Sequence, residues 1–165
     1  MELTEIKGLF EMDSGTPSPT ILSNDNELFI TFYSDDVKSL SFEPQERNTV
    51  YDSGIIVLKF KMYLHYNFGI PGDETIHKHP YSKLGMRSYS FYELKNSNLI
   101  KELQEIQKGH VYYDADKWKT YKHYVLTFHD NMFECIAEGF EIREETASLH
   151  NKVSVLLNEL SSKHL

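Results

Sequence analysis

The sequence predicts an α+β fold in which a strongly twisted or curled antiparallel sheet of about five to seven strands carries two helices. Three observations predict it. Segments of alternating apolar and polar residues outnumber helical stripes, turn-forming residues join them into hairpins, and strands do not alternate regularly with helices. The chain has 165 residues, of which 40% are hydrophobic and 25% are charged. This size and composition are typical of one globular domain, here residues 1–165.

The first predicted element is helical. Three apolar side chains of the N-terminal segment, residues 1–14, recur at spacings near 3.6 residues: Leu3, Ile6 and Phe10. This spacing predicts one or two amphipathic helical turns. The prolines at positions 17 and 19 end any helix, because they lack an N–H donor and bias the residues before them to extended conformations.

The sheet core is predicted over residues 15–140 and begins with a hairpin. One strand contains Ile21 and Leu22, and the other is the run 27–33, which is rich in β-branched and aromatic residues. Turn-forming residues occupy the positions between these two segments. The composition therefore predicts two short strands joined by a tight turn.

A polar connection, residues 35–53, leads from this hairpin to the longest predicted strand, residues 56–68. Apolar and polar side chains alternate along that strand, as expected when one face is buried. Its length predicts a strongly twisted sheet or a bulge. The loop that follows, residues 69–85, is long for an ordered loop in a compact domain, and such loops are often functional.

Two helices are predicted in the second half of the chain, after a strand over 88–94. The first covers residues 97–108, with Ser97 as its N-cap and Gly109 as its stop. The second covers residues 144–162. Its apolar stripe consists of Leu149, Val153, Leu156, Leu157 and Leu160. A stripe of this kind more often packs on its own sheet than on another chain.

A late hairpin is predicted from two strands, residues 123–130 and 132–140, around a turn at Asp130-Asn131. The resulting cross-strand pairs form one apolar face: Phe128 with Phe133, Leu126 with Cys135, and Tyr124 with Ala137. This face must belong to the core. Cys135 is therefore predicted to be a small buried hydrophobic residue rather than a nucleophile.

The opposite face of the hairpin carries polar residues of complementary type. The predicted register sets His123 against Glu138 and Thr127 against Glu134, with His129 diagonal to Glu134. A histidine beside a glutamate can orient a general base, form an ion pair or supply two metal ligands. The catalytic candidates are therefore His129, Glu134 and Thr127. The alternative is that this face is simply the solvent side of an amphipathic hairpin.

The long loop supplies further candidates. The candidates for ligand binding, one of them from the hairpin, are Asp73, Glu74, His79 and His123. His77 and His79 would lie on the same side of an extended chain, and with His129 they are the candidate metal ligands. No H-E-x-x-H or paired C-x-x-C motif is present, so no cofactor is predicted and exposed loop histidines are the alternative.

The charge limits the choice of partner. The chain has 17 Lys and Arg against 25 Asp and Glu, a net charge of −8, which argues against nucleic acid. The densest basic stretch, residues 117–122, surrounds Trp118 and predicts a solvated turn with one helical turn. No apolar run approaches the roughly 20 residues of a membrane span, and the N-terminus lacks a signal peptide, so a cytoplasmic location is expected.

Several segments resemble a family of small bacterial proteins. The shared motifs are Gly15-x-Pro17-x-Pro19, Phe68-Gly69-x-Pro71-x-Asp73-Glu74, His79-Pro80, Tyr89-Ser90-Phe91-x-Glu93-x-x-Asn96-Ser97 and His123-Tyr124-x-x-Thr127-Phe128-His129-Asp130-x-x-Phe133-Glu134-Cys135-Ile136-Ala137. The resemblance implies a bacterial, single-domain protein and implies no activity. It covers most of residues 15–140.

The sequence predicts a non-enzymatic binding or interaction protein for an unidentified protein or small ligand. Tyrosine is abundant, and Tyr112, Tyr113, Trp118 and Tyr121 lie in a connection where burial does not obviously account for them. An inhibitor of a basic enzyme, as immunity proteins are, would fit the acidic charge. The alternative is a small enzyme or metal-binding protein whose His/Glu site joins loop 69–85 to hairpin 123–138. The chain is expected to be a monomer or a homodimer through its last helix.

Overall fold

The computed structural model describes residues 1–35 and 53–161, and within them the α+β class is confirmed. The strands are β1 (Glu2–Glu5), β2 (Thr20–Ser23), β3 (Leu28–Tyr33), β4 (Ser53–Lys61), β5 (His65–Gly69), β6 (Ser90–Lys95), β7 (Lys122–Thr127), β8 (Met132–Ala137) and β9 (Gly139–Ala147). The helices are α1 (Asn98–Gln107), α2 (Ala115–Trp118) and α3 (Leu149–Ser161), with 3₁₀ helices at Ile76–Lys78 and Pro80–Leu84. None of the described helices is both long enough and apolar enough to span a membrane.

The strands form two antiparallel sheets where the sequence predicts one. The five-stranded sheet has the order β1-β6-β7-β8-β5, and the four-stranded sheet has the order β2-β3-β4-β9. The chain forms two compact units. The first unit comprises residues 1–7 and 61–140 and holds the five-stranded sheet. The second unit comprises the described parts of 8–60 and 141–165.

In the first unit, loop 69–85 packs over one face of the sheet. Ile76 and Met86 of the loop segment form a buried cluster with Val125 of β7 and Met132 of β8. These sheet residues share the face that carries His123 and Thr127, which are both fully buried. The interpretation of this face as the solvent side of the hairpin is therefore wrong, because the two 3₁₀ helices of the loop shield it from water.

In the second unit, α3 packs on the four-stranded sheet. Leu156 and Leu160 lie against Phe29 of β3 and against Ile55 and Val57 of β4. The helix therefore packs on its own sheet as predicted, although Leu157 of the predicted stripe is 53% exposed. The predicted helix start at residue 144 is wrong: β9 extends to Ala147, and Ser148 Oγ accepts the Asn151 N–H at 3.2 Å.

Two other predicted elements differ in the structure. The predicted N-terminal helix is strand β1, because residues 2–5 complete an edge of the sheet by pairing with β6. The predicted strand over 56–68 is two strands in different sheets, β4 and β5. Met62, between them, has a φ of 49°, a left-handed conformation that interrupts extended backbone. Residues 36–52 of the predicted polar connection lie outside the described residues.

Both predicted hairpins are present. In the first, Ile21 pairs with Ile30 as β2 and β3 run antiparallel. In the late hairpin the strands pair two residues out of the predicted register: Tyr124, not Leu126, lies opposite Cys135. The turn contains four residues, 128–131, and Phe128 N–H donates to the Asn131 carbonyl at 2.8 Å. A displacement of two residues keeps every side chain on its predicted face.

Candidate functional site

Loop 69–85 sits directly on the turn of the late hairpin. The Asp73 N–H donates to the His129 carbonyl at 2.7 Å. A Cβ atom added at Gly72 would lie 2.5 Å from that same carbonyl oxygen and 2.9 Å from Asp130 Cα. Only glycine allows so close an approach of two backbones. The loop and the hairpin are therefore brought together at a defined point, as the enzyme hypothesis requires.

At this point three polar side chains form what we call the outer cluster: Asp73, Tyr89 and His129. The Tyr89 hydroxyl donates to Asp73 Oδ2 at 2.7 Å and also lies 2.7 Å from His129 Nδ1. His129 Nδ1 is 2.9 Å from Asp73 Oδ2. The His129 side chain is 43% exposed and that of Asp73 is 24% exposed. The cluster is therefore accessible from solvent.

The two ionisable partners of the outer cluster stabilise each other's charged forms. The hydrogen bond and the charge of Asp73 raise the pKa of His129 above its ordinary value. Hydrogen bonds from Tyr89 and His129 lower the pKa of Asp73. Both directions follow from a favourable contact between imidazolium and carboxylate.

We expect the pKa of the His129 ring, measured by NMR titration of the full chain, to lie above 6.5. The contribution of His129 to stability is complete below pH 6.5 and is lost as pH rises through its folded-state pKa. The contribution of Asp73 is complete above pH 3.8 and is lost as pH falls through its own lowered pKa. The pair therefore stabilises most between these values. Asp73→Asn should return the pKa of His129 toward 6.5, and an unchanged titration would contradict the pairing.

A second group of polar side chains, the inner network, is buried in the same unit. His123 on β7 lies at its centre and is fully buried. Its Nδ1 lies 2.8 Å from Ser97 Oγ, and its Nε2 lies 2.9 Å from Glu134 Oε2. With the proton on Nε2, His123 donates to the carboxylate and accepts from the serine hydroxyl. His123 therefore connects the cap of α1 to a partly buried carboxylate.

The connectivity resembles a serine, histidine and acid triad, but Ser97 is placed for a structural role. Only 3% of Ser97 is exposed, so a substrate has no direct access to its hydroxyl. Ser97 Oγ also accepts the Ile100 N–H at 3.3 Å and caps α1, as predicted. The Ser97 hydroxyl is thus held between His123 and the first turn of α1. The inner network thus connects the cap of α1 to β7 and β8 rather than presenting a nucleophile.

His79 and Tyr81 of the loop lie beside the inner network. Burial lowers the pKa of His79, and the negative charge of Glu134 opposes that change. Burial and the charges of Glu134 and Glu102 raise the pKa of Tyr81 to about 12. Burial also opposes ionisation of Glu134, yet hydrogen bonds from His123 and Asn67 hold its pKa below its usual range. Glu134 is therefore a carboxylate at neutral pH.

In the structure the predicted catalytic residues have different partners from those predicted. His129 lies in the turn beside Asp73 and is not paired with Glu134, whose partner is His123. Thr127 is fully buried, and its hydroxyl bonds to the backbone rather than facing Glu134. It donates to the Arg87 carbonyl at 2.7 Å and accepts the Ser90 N–H at 3.0 Å. The register explains these differences, since the four-residue turn removes His129 from the strand.

The remaining candidates are not brought together. Glu138 bonds to Lys117 and Thr120 instead of facing His123. Glu74 and His77 are exposed on the loop. Among residues 1–35 and 53–161, no three His, Cys, Asp or Glu side chains are grouped so that they could hold a metal ion. Cys135 is fully buried as predicted, and burial raises its pKa well above the ordinary value.

The first unit also contains a pocket whose residues the sequence does not predict to lie together. Its volume is 310 Å³, and it is lined by Leu64, Leu103, Gln107, Tyr112, Asp114, Lys117, Trp118 and Tyr121. Three of the aromatic residues noted in the sequence are therefore grouped, together with two leucines from distant segments. The aromatic residues of the segment 112–121 are the one sequence feature that points to this pocket. We call this the aromatic pocket.

Exposed apolar side chains line the aromatic pocket and flank its lining residues in the sequence. Of its own lining, Leu64 is 44% exposed and Tyr112 is 85% exposed. Ile106 on α1 and Val111 after it, which do not line the pocket, are 73% and 84% exposed. Concentrations of exposed large apolar residues of this kind mark binding surfaces on folded proteins. Ile106 and Val111 are the sequence neighbours of Gln107 and Tyr112, which line the pocket.

Comparison with known proteins identifies no relative of this chain. No protein-family model, no curated protein and no solved structure matches it. The resemblance to a bacterial family therefore stays a prediction, and function must be argued from the two polar groups and the aromatic pocket.

Proposed function

We propose that the protein is a non-enzymatic binding protein that recognises a partner through the aromatic pocket. The observation that carries this proposal is the grouping of Tyr112, Trp118 and Tyr121 with two leucines around one pocket. Aromatic side chains that are rigid and polar at one end are the commonest anchors of binding sites. The exposed apolar residues around the pocket provide the adjoining contact surface.

The uneven charge of the chain supports a partner with basic regions. The first unit holds 11 basic and 12 acidic residues, a net charge of −1. The full ranges 8–60 and 141–165, which include the second unit, hold 6 basic and 13 acidic residues, a net charge of −7. Almost the whole acidic character therefore lies outside the unit that contains the pocket. Such a field accelerates encounter with a basic protein, and we expect association to slow as salt concentration rises.

Photo-crosslinking from the edge of the pocket tests the proposal. The full chain carries p-benzoylphenylalanine in place of Tyr112 and is irradiated in its native cells. A control chain carries the same group in place of Val155, which is 49% exposed on α3 in the second unit. We expect one discrete adduct from position 112 that is absent from position 155 and disappears when Leu64→Asp is added. Equal adducts from both positions, or an adduct that survives Leu64→Asp, would contradict the proposal.

The outer cluster supports a second candidate function, acid–base catalysis. Asp73 holds Nδ1 of His129 at 2.9 Å, which leaves Nε2 as the nitrogen for proton transfer. Tyr89, whose hydroxyl completes the cluster, has a left-handed φ of 55°, and such backbone conformations concentrate at functional sites. His129 would remove a proton from water as the water adds to an activated acyl carbonyl.

Hydrolysis of p-nitrophenyl acetate at pH 8 tests this second candidate. Water is consumed, and acetate and p-nitrophenol are released. We expect His129→Asn to lower the protein-dependent rate by about tenfold or more. His77→Asn is the matched control, because His77 is an exposed histidine outside the cluster. Equal losses in the two variants would assign the rate to surface imidazoles in general and reject catalysis by the cluster.

A further inference from the structure

We propose that the occupant of the aromatic pocket is an uncharged aromatic side chain presented by a protein partner. This inference rests on the proposed binding function and names the chemistry of what is bound. It follows from four properties of the pocket: its size, the angle between its rings, the state of its charged groups and the surface around it.

The size of the pocket fits one large side chain. Its 310 Å³ lies at the lower end of the range for ligand sites, which is about 300–1,000 Å³. The pocket therefore has room for one large side chain that projects from a protein partner.

The ring geometry suits an incoming aromatic group. The rings of Trp118 and Tyr121 lie 5.6 Å apart between centroids with an interplanar angle of 58°. Because the two rings are inclined to each other, a third ring that contacts both can stack on one of them and meet the other edge to face. Aromatic pairs prefer these two arrangements over parallel sandwiches. Leu64 and Leu103 complete the apolar lining.

The charged groups of the pocket are already engaged with neighbours. The Lys117 ammonium forms an ion pair with Glu138 and lies 5.9 Å from the centre of the Tyr121 ring. The Asp114 carboxylate accepts the N–H groups of Asp116 and Lys117 at 2.9 and 3.3 Å, as the cap of α2. A cationic occupant would compete with Lys117 for the Tyr121 ring, and an anionic one would compete with Glu138. A neutral group matches the pocket without breaking these contacts.

The surface around the pocket favours a macromolecule over a free small molecule. Ile106 and Val111 are largely exposed and do not line the pocket, so a ligand confined to it leaves them in water. Both are sequence neighbours of lining residues, Gln107 and Tyr112, so a protein seated on the pocket is large enough to contact them as well. Interfaces commonly have this form, with an aromatic anchor in a pocket and apolar contacts around it.

The experiment uses the indole N–H signal of the full chain in a proton–nitrogen NMR spectrum. Trp118 is the only tryptophan, so this signal reports on the pocket without assignment. The probes are N-acetylphenylalaninamide, N-acetylargininamide and N-acetylleucinamide. We expect the phenylalanine probe to move the signal saturably with a dissociation constant of about 1 mM, and to bind about tenfold more tightly than the arginine probe.

Two matched variants locate the binding. Leu64→Asp places a charge in the pocket at a residue that is 44% exposed and therefore tolerates substitution. Val155→Asp places the same charge on α3 at a residue that is 49% exposed. We expect Leu64→Asp to weaken binding of the phenylalanine probe by about tenfold and Val155→Asp to leave it unchanged.

Two outcomes would overturn the inference. One is tighter binding of the arginine probe than of the phenylalanine probe, and the other is the absence of a saturable response to any probe. An adduct from position 112 together with a preference for arginine would reject the aromatic occupant and retain the proposed binding function. Binding of the phenylalanine probe without a specific adduct would reject the proposed function and retain the chemistry of the pocket.

Discussion

Replacing His123 with alanine is expected to lower the free energy of unfolding by about 3 kcal/mol or more. The ring is fully buried, so its removal leaves a cavity in the first unit. It also removes the 2.9 Å hydrogen bond to Glu134, a carboxylate whose side chain is only 15% exposed. Both losses act in the same direction, and the serine cap of α1 loses its partner as well. Urea unfolding of the purified chain measures the difference.

His129→Ala is the matched control for this prediction. It removes the same side chain from the outer cluster, where the ring is 43% exposed and its ion pair is screened by water. We expect the control to lower the free energy of unfolding far less than His123→Ala does. A similar loss in the two variants would mean that the inner network is not an organising part of the first unit. NMR should also show a higher pKa for Glu134 in His123→Ala, because the carboxylate loses a donor.

Gly72→Ala is expected to lower the free energy of unfolding by about 2 kcal/mol. The new Cβ would lie 2.5 Å from the His129 carbonyl oxygen, where backbone on both sides leaves little room to adjust. The loop must move away from the hairpin, which lengthens the 2.7 Å bond from Asp73 N–H to His129. The outer cluster then separates, so the pKa of His129 should fall toward its ordinary value in the same variant.

Gly109→Ala is the control for the glycine prediction. A Cβ at Gly109 meets no atom within 4 Å, so the same methyl group is added without a clash. We expect a change in stability of about 0.5 kcal/mol or less, measured by the same unfolding experiment. If Gly72→Ala were as mild as this control, the close approach of loop and hairpin would not hold the outer cluster together.

The late hairpin shows how far the sequence could predict the fold and the site. The alternation of apolar and polar residues predicts the correct sheet face for each side chain. A register displacement of two residues leaves each side chain on the same face. Cross-strand partners change with such a displacement: the sequence predicts Glu134 opposite Thr127 and His123 opposite Glu138, whereas His123 and Glu134 bond to each other. The error came from the position of the turn: Asp130-Asn131 predicts a turn centred on these two residues, whereas the turn comprises residues 128–131 and is centred one residue earlier. The Phe128-to-Asn131 hydrogen bond decides it.

Local sequence patterns do not predict the burial of the polar hairpin face or the assembly of the aromatic pocket, and the reason is different. The sequence indicates that loop 69–85 and the aromatic residues of 112–121 are of interest. A pattern of polar residues along a strand does not show which segment will cover that strand. The pocket combines Leu64 with two residues of α1 and five from the connection that follows. Only the path of the backbone places these segments together. Burial of His123 likewise depends on where the loop packs, not on the residues of its own strand.

The proposal that the aromatic pocket binds a partner's ring is tested most directly by a crystal structure of the full chain soaked with phenol. We expect density for one phenol ring within the pocket, against Trp118 and Tyr121, with the Lys117 and Glu138 ion pair unchanged. Leu64→Asp crystals treated in the same way should lack that density. A pocket closed by its own side chains, or phenol bound only at other places on the chain, would contradict recognition through this pocket.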